Sequence, residues 1–100
     1  MNDIELIKAF AEIEGIEVYM VLGCKGEWHT SKGSFPFNPI TDLSLNCEVT
    51  DKYNVNISQT YKCVSVNGYP GSVVFFKDKS RLPRARIECI VKAHGGNGNE

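Results

Sequence analysis

Residues 82–94, which read LPRARIECIVKAH, decide the fold of this 100-residue chain most clearly. Pro83 lacks an amide proton, and a helix tolerates it only in the first turn, where that proton would have no partner. Ser80 is a candidate N-cap, and Gly95 begins a Gly-Gly pair that predicts the end of the helix. The residues of one face recur at spacings of three and four positions: Ile87, Ile90, Val91 and His94. This stretch therefore predicts an amphipathic helix.

The segment before this helix predicts a β-hairpin. Residues 55–66 are rich in Val, Ile, Thr and Tyr, which are typical of strands. The following loop, 67–71, starts with an Asn-Gly pair that tolerates positive φ, and its length predicts more than a two-residue turn. Residues 72–77 form the return strand. Their apolar run 73–76 predicts a central strand that is covered on both faces.

The N-terminal segment predicts a helix followed by a second hairpin. Asn2, with a glutamate three residues later, resembles a capping box for a helix over residues 3–14, and Gly15 suits its C-terminal cap. One apolar stripe lies on this helix: Leu6, Ile7, Phe10, Ala11 and Ile13. Apolar residues then alternate over 16–22, which predicts a strand that pairs with a short strand over 27–30.

Residues 41–53 fit two structures. Strict alternation of apolar side chains favours a strand: Leu43, Leu45, Cys47 and Val49. Against this, Thr41 or Asn38 can cap a helix, Asp42 suits its positive start, and three apolar residues align at i, i+4 and i+8: Leu45, Val49 and Tyr53. We favour the helix.

These elements together predict an α+β protein with three helices packed on a small, mainly antiparallel sheet. The predicted order is α-β-loop-α-β-β-α, in a single domain over residues 1–95 with a disordered tail over 96–100. Apolar residues make up 42% of the chain and charged residues 23%, which excludes the composition of an intrinsically disordered protein. A net charge of -1 gives no long-range field that would steer the chain to nucleic acid or to an anionic membrane.

The compartment and the cysteine chemistry follow from further absences in the sequence. No apolar run approaches the ~20 residues of a membrane span, and the acidic N-terminus is not typical of a secretory signal. The four cysteines form no CxxC pair: Cys24, Cys47, Cys63 and Cys89. We therefore predict a cytoplasmic protein whose cysteines are reduced core fillers, with no metal site and no cofactor.

Two segments carry a resemblance to a known family. Asn38-Pro39-Ile40-Thr41-Asp42 precedes the second helix, and residues 82–94 open with Leu-Pro-Arg. Over residues 36–94 the chain resembles the small phage and prophage proteins that contain the phage ABA sandwich domain, including NinX-like proteins. The resemblance implies helices packed on a small antiparallel sheet and an origin in a phage or prophage, hence the host bacterial cytoplasm. It implies no enzymatic activity and no catalytic residues.

A cluster of basic residues is the strongest local charge feature. Six of the 11 basic residues fall within 16 positions: Lys77, Lys79, Arg81, Arg84, Arg86 and Lys92. Lys79, Arg81, Arg84 and Lys92 are candidates for binding phosphates or an acidic partner protein. The alternative, which we favour for the cluster by itself, is a solvated face on which Glu88 bridges Arg84 and Lys92.

Three aromatic residues in the predicted long loop are the other candidates for binding: Trp28, Phe35 and Phe37. They form either a binding hot spot or a lid on the core, and the sequence favours neither. Cys24 lies beside a lysine and five residues before His29, but nearness in sequence is weak evidence for a catalytic pair. His94 is expected to be half-buried or capping rather than a metal ligand.

The sequence thus predicts a non-enzymatic accessory protein that binds a host or phage protein, as a monomer or a homodimer. One alternative is a weak nucleic-acid-binding protein that uses the basic C-terminal helix. A cysteine-dependent enzyme built on Cys24 and His29 is the least favoured alternative. An uncovered edge of the predicted hairpin also invites pairing with another copy of the chain.

Overall fold

The fold is described from a computed structural model, which describes residues 2–20, 27–30 and 37–95. The predicted tail over 96–100 lies outside these residues. The elements are α1 (Asp3–Glu14), β1 (Tyr19–Met20), β2 (Trp28–His29), α2 (Leu43–Lys52), β3 (Val55–Ser58), β4 (Cys63–Val66), β5 (Tyr69–Phe75) and α3 (Leu82–His94), with a 3-10 turn at Lys79–Arg81. This confirms the α+β class. The predicted order matches only roughly, because three strands rather than two lie between α2 and α3.

The strands form two antiparallel sheets. The first contains β1 and β2, and a backbone bond from the Phe37 amide to the Trp28 carbonyl, 2.6 Å long, extends it. The second has the order β3-β4-β5. The prediction of a central strand covered on both faces was therefore wrong for β5, which is an edge strand in the described part of the chain. Val74 and Phe76 are buried, whereas Phe75 between them is 72% exposed.

The first turn of the three-stranded sheet was not predicted. Residues 55–66 were expected to form one strand, but they form β3, a turn and β4. Lys62 adopts a positive φ of 51°, and the Ser58 hydroxyl accepts a hydrogen bond of 3.2 Å from the Tyr61 amide. The prediction of one strand gave too much weight to Thr60 and Tyr61, which are common in strands. Strand propensity reflects side-chain packing more than an intrinsic preference of the backbone, so these residues can also lie in a turn.

The second turn is shorter than expected. Asn67 and Gly68, the latter with φ of 87°, form a two-residue connection, and β5 begins directly at Tyr69. The register shifts between Val64 and Val66, which leaves backbone groups to be satisfied locally. The buried Ser72 hydroxyl does this, because it accepts a 2.8 Å bond from the Val66 amide and donates a 2.6 Å bond to the Tyr69 carbonyl.

The first two helices begin and end largely as predicted. Asn2 and Glu5 form the full capping box of α1, and Gly15 takes the left-handed conformation after its last residue, with φ of 71°. Residues 43–52 are a helix and not a strand, and the N-cap is Asp42, which accepts a 3.2 Å bond from the Leu45 amide. Asn38 instead caps the turn before α2, as its side chain accepts bonds from two following amides.

The start of α3 differs from the prediction. Ser80 is not its N-cap but lies inside the 3-10 turn that leads into the helix. Asp78 caps that turn by accepting a 3.0 Å bond from the Ser80 amide, and bonds from the Ser80 side chain and backbone lower the pKa of the Asp78 carboxyl. Pro83 does lie in the first turn of α3, as predicted, and Gly95 follows the last helical residue.

Helix α3 is the centre of the molecule, since it contacts α1, α2 and all three strands of the larger sheet. The main core cluster consists of Leu6, Phe10, Val49, Val64, Val66, Val74, Phe76, Ala85, Ile87, Cys89 and Ile90. Cys89 is thus a core filler, as predicted, and burial raises the pKa of its thiol to about 12. Cys63 is half-buried, and the filler prediction was wrong for Cys47, which is exposed. Cys24 lies outside the described residues.

Candidate functional site

The aromatic candidates lie against the body of the protein. The Trp28 indole donates a 2.9 Å hydrogen bond to the Ile4 carbonyl of α1, and the Phe37 ring stacks on Phe10 with centroids 6.5 Å apart. Both side chains are half-buried. This arrangement matches the lid alternative better than the hot-spot alternative, because both rings already have partners within the fold. Phe35 lies outside the described residues.

The basic cluster does not form one surface, because two of its arginines serve the fold. Arg84 joins α3 to α1, since its Nε lies 2.6 Å from Asp3 Oδ1. Its Nη1 lies 2.6 Å from Glu88 Oε1, which confirms the Glu88 pairing expected on this side. The hydrogen bond to Asp3 is the main cause that raises the pKa of the Arg84 guanidinium. Arg84 therefore has a structural role in addition to any role in binding.

Arg86 points toward the interior. Its Nη1 donates a 3.0 Å bond to Oδ1 of Asn46, a side chain with no exposed surface. The Asn46 amide nitrogen donates to the carbonyls of Pro39, at 2.9 Å, and Pro83, at 3.0 Å. The Arg86 Nε is buried with no acceptor among the described residues. This polar network joins α2, α3 and the turn before α2. The sequence did not predict it, because nothing in the local pattern marks Asn46 as buried.

The remaining cations of the cluster stay at the surface. Lys77, Lys79 and Arg81 are exposed on the connection from β5 to α3. Lys92 is also exposed, and its ammonium lies 3.5 Å from the Val73 carbonyl of β5 rather than forming the expected bridge to Glu88. Positive charge is therefore concentrated along β5 and just beyond its C-terminal end.

A cleft of about 330 Å³ lies between the end of β5 and the start of α3. We name it the β5–α3 cleft. The residues that line it include Phe75, Lys77, Arg81, Arg84, Ala85 and Glu88. Three cationic side chains outweigh one carboxylate there, and an exposed aromatic ring lies at its wall. Sequence reasoning found its basic residues but placed Phe75 in the core. The signal that could have found Phe75 is the alternation with Val74 and Phe76, which puts it on the opposite face.

The histidines do not assemble a reactive site in the described part of the chain. His94 is half-buried between two tyrosine rings, with centroid distances of 5.1 Å to Tyr53 and 4.7 Å to Tyr69. This confirms the expectation of a half-buried histidine. The His29 Nε2 lies 3.6 Å from Glu27 Oε1, and its predicted partner Cys24 is outside the described residues.

A carboxylate clasp joins the first two helices. The Tyr53 hydroxyl donates to Oε2 of Glu14, and the Lys52 ammonium lies 2.9 Å from the same oxygen. Burial, followed by the bond to Glu14, raises the pKa of Tyr53 to about 12. The clasp fixes α1 to the end of α2 and leaves the phenol protonated at neutral pH.

The described residues contain neither a metal-ligand cluster nor a membrane-spanning helix, and the chain matches no known protein in the comparisons made. No group of three or more His, Cys, Asp or Glu side chains that could hold a metal ion occurs within residues 2–20, 27–30 and 37–95. In that same part of the chain, no helix combines the length and the hydropathy that a bilayer span requires. Comparison of the chain with family models, with curated proteins and with solved structures finds no match.

Proposed function

We propose that this protein is a non-enzymatic binding module that engages a partner protein through the β5–α3 cleft. The observation that carries the proposal is Phe75, an aromatic side chain that is 72% exposed beside cationic residues. Aromatic residues and arginine dominate the binding energy of protein interfaces. Burying a phenylalanine ring that is otherwise exposed contributes roughly 1.5–3 kcal/mol, which corresponds to roughly 10- to 100-fold in affinity.

The charges around Phe75 indicate the character of the partner surface. Lys77 and Arg81 are exposed at the cleft, whereas the Glu88 carboxylate is already paired with Arg84. An acidic surface would meet these cations with complementary charge, which increases the association rate and disfavours basic competitors. We therefore propose an acidic partner protein.

The resemblance to small phage proteins supports a proposal for where the protein acts. A phage or prophage accessory protein would act in the host bacterial cytoplasm, on a host protein or on another phage protein. Nucleic acid is the less favoured ligand, because Arg84 and Arg86 bond to side chains of the fold. The exposed cations that remain do not lie along one helix face, as a recognition helix would require.

The proposal is tested by affinity capture from nuclease-treated host lysate, with purification of each captured protein and measurement of its Kd. We expect Phe75→Ser to weaken binding at least ~10-fold, in line with the loss of one buried aromatic ring. Leu43→Ser is the matched control, because Leu43 is also a largely exposed apolar side chain, at 63%, and does not line the cleft. Circular dichroism verifies that both variants are folded.

Two outcomes would overturn the proposal. In the first, folded Phe75→Ser binds the partner as tightly as the wild-type protein. In the second, capture disappears after nuclease treatment and the protein binds DNA or RNA with a steep salt dependence, which would assign a nucleic-acid ligand instead.

A further inference from the structure

We propose that β5 accepts, as a fourth strand on its outer edge, an extended acidic segment of the partner protein. This inference rests on the proposed function and specifies how the partner would bind. Chains that add a strand to a sheet edge gain affinity from backbone hydrogen bonds, and they gain specificity from alternate side chains.

The β5 backbone groups alternate in direction. The Phe76 amide donates a 2.9 Å bond to the Lys62 carbonyl, and Val74 pairs with Val64. In an antiparallel pair, residues that bond to the neighbour alternate with residues that point away from it. The amides and carbonyls of Val73 and Phe75 therefore point away from β4. No described residue forms a strand on that side of β5.

A lysine side chain lies beside this edge. The Lys92 ammonium lies 3.5 Å from the Val73 carbonyl, which is one of the outward-pointing groups. Lysine is a common guard of sheet edges, because its charge must be moved or paired before another strand can dock. A carboxylate on the incoming strand would pair with Lys92 as the backbone bond to Val73 forms. An uncharged strand would have to displace Lys92 without that compensation.

The two faces of β5 differ in exposure. Phe75 lies on the sheet face opposite to Val74 and Phe76, which face the core. Side chains of the added strand would alternate in the same way, so that every second one lies beside Phe75 and the others lie on the α3 side of the sheet. Apolar residues suit the first set and acidic residues suit the second, where Arg81 is exposed. The inferred ligand thus alternates acidic and apolar residues over about the length of β5.

The test uses the full chain and an eight-residue peptide of alternating Glu and Val, with fluorescence anisotropy for affinity and amide hydrogen exchange by NMR. We expect binding to slow exchange of the Val73 and Phe75 amides, with little change at Val74. A peptide in which Lys replaces Glu, and one that is N-methylated at every second amide, should each bind at least ~10-fold more weakly. Lys92→Gln should reduce the preference for Glu over Gln peptides, and Lys8→Gln is the control on α1.

Each opposing outcome is decisive. Binding without protection of Val73 and Phe75, or equal affinity for the N-methylated peptide, overturns strand addition. Protection that rises with protein concentration in the absence of peptide would assign the edge to a second copy of this chain. If the captured partner depends on Phe75 but leaves both amides unprotected, the proposed function stands and the strand-addition inference fails.

Discussion

Removal of the buried Asn46 side chain should be one of the most damaging polar substitutions in this protein. Asn46→Ala deletes three hydrogen bonds, to the carbonyls of Pro39 and Pro83 and from Arg86, with lengths of 2.9, 3.0 and 3.0 Å. At roughly 1 kcal/mol for each bond, their loss costs about 3 kcal/mol. The change also leaves Arg86 with one more unpaired donor beside its buried Nε, which adds roughly 1 kcal/mol or more.

The expected total of about 4 kcal/mol is a large fraction of the roughly 5–15 kcal/mol that stabilises a domain of this size. Urea unfolding, followed by circular dichroism and by the fluorescence of Trp28, the sole tryptophan, measures it. If the wild-type protein has too little stability for Asn46→Ala to fold, that variant will give a low yield and no cooperative unfolding. A milder variant, Asn46→Ser, is then measured in the same way for comparison.

A double-mutant cycle tests the physical reason for this cost. Arg86→Met removes the stranded guanidinium, so the pair Asn46→Ala and Arg86→Met should cost less than the sum of the two single changes. We expect a coupling of roughly 1–2 kcal/mol, typical of residues that share one polar network. A destabilisation below about 1 kcal/mol for Asn46→Ala, or strict additivity in the cycle, would refute the assignment of this network as a main support of the fold.

Three further predictions concern single groups. Thiol labelling at pH 8 should modify the exposed Cys47 quickly and the buried Cys89, whose pKa is raised to about 12, only after unfolding; equal rates would contradict the burial of Cys89. Tyr53 has a pKa raised to about 12 from 10.0, so its contribution to stability is complete below pH 10 and is lost as the pH rises toward 12. Tyr53→Phe should flatten this part of the urea-unfolding pH profile, and an unchanged slope would exclude the clasp as its cause. Gly15→Ala should cost about 1 kcal/mol because φ is 71°, and an unchanged urea midpoint would show that the helix end relaxes freely.

Local signals in the sequence predicted the helices because each has a periodic apolar face and a recognisable boundary. The Asn2–Glu5 capping box and Gly15 fix both ends of α1, and Pro83 fixes the first turn of α3. The turn between β3 and β4 escaped prediction because no glycine or proline marks it, and Lys62 takes the positive φ. Strand order also escaped prediction, since periodicity shows which face of a strand is apolar but not which strand lies at the edge.

The candidate site was predictable in its charges but not in its geometry. The sequence grouped six basic residues by their nearness along the chain. Their directions depend on partners that are distant in sequence: Asp3 lies 81 positions from Arg84, and Asn46 lies 40 positions from Arg86. Contacts between residues so far apart in the chain produce no periodic pattern in the local sequence. The same is true of the position of Phe75, which lies on an edge strand because the described sheet has no fourth strand beside β5.

The central position of α3 also limits where a partner could bind. A helix that contacts two other helices and three strands has little free surface for recognition. Its arginines accordingly bond to Asp3, Glu88 and Asn46 of the fold. The neighbouring segment has the opposite property, because the end of β5 combines outward-pointing backbone groups with an exposed phenylalanine and lysine. Binding energy can be gained there without breaking the polar network of the core, which is why we propose recognition at the sheet edge and the adjoining β5–α3 cleft rather than along the basic helix.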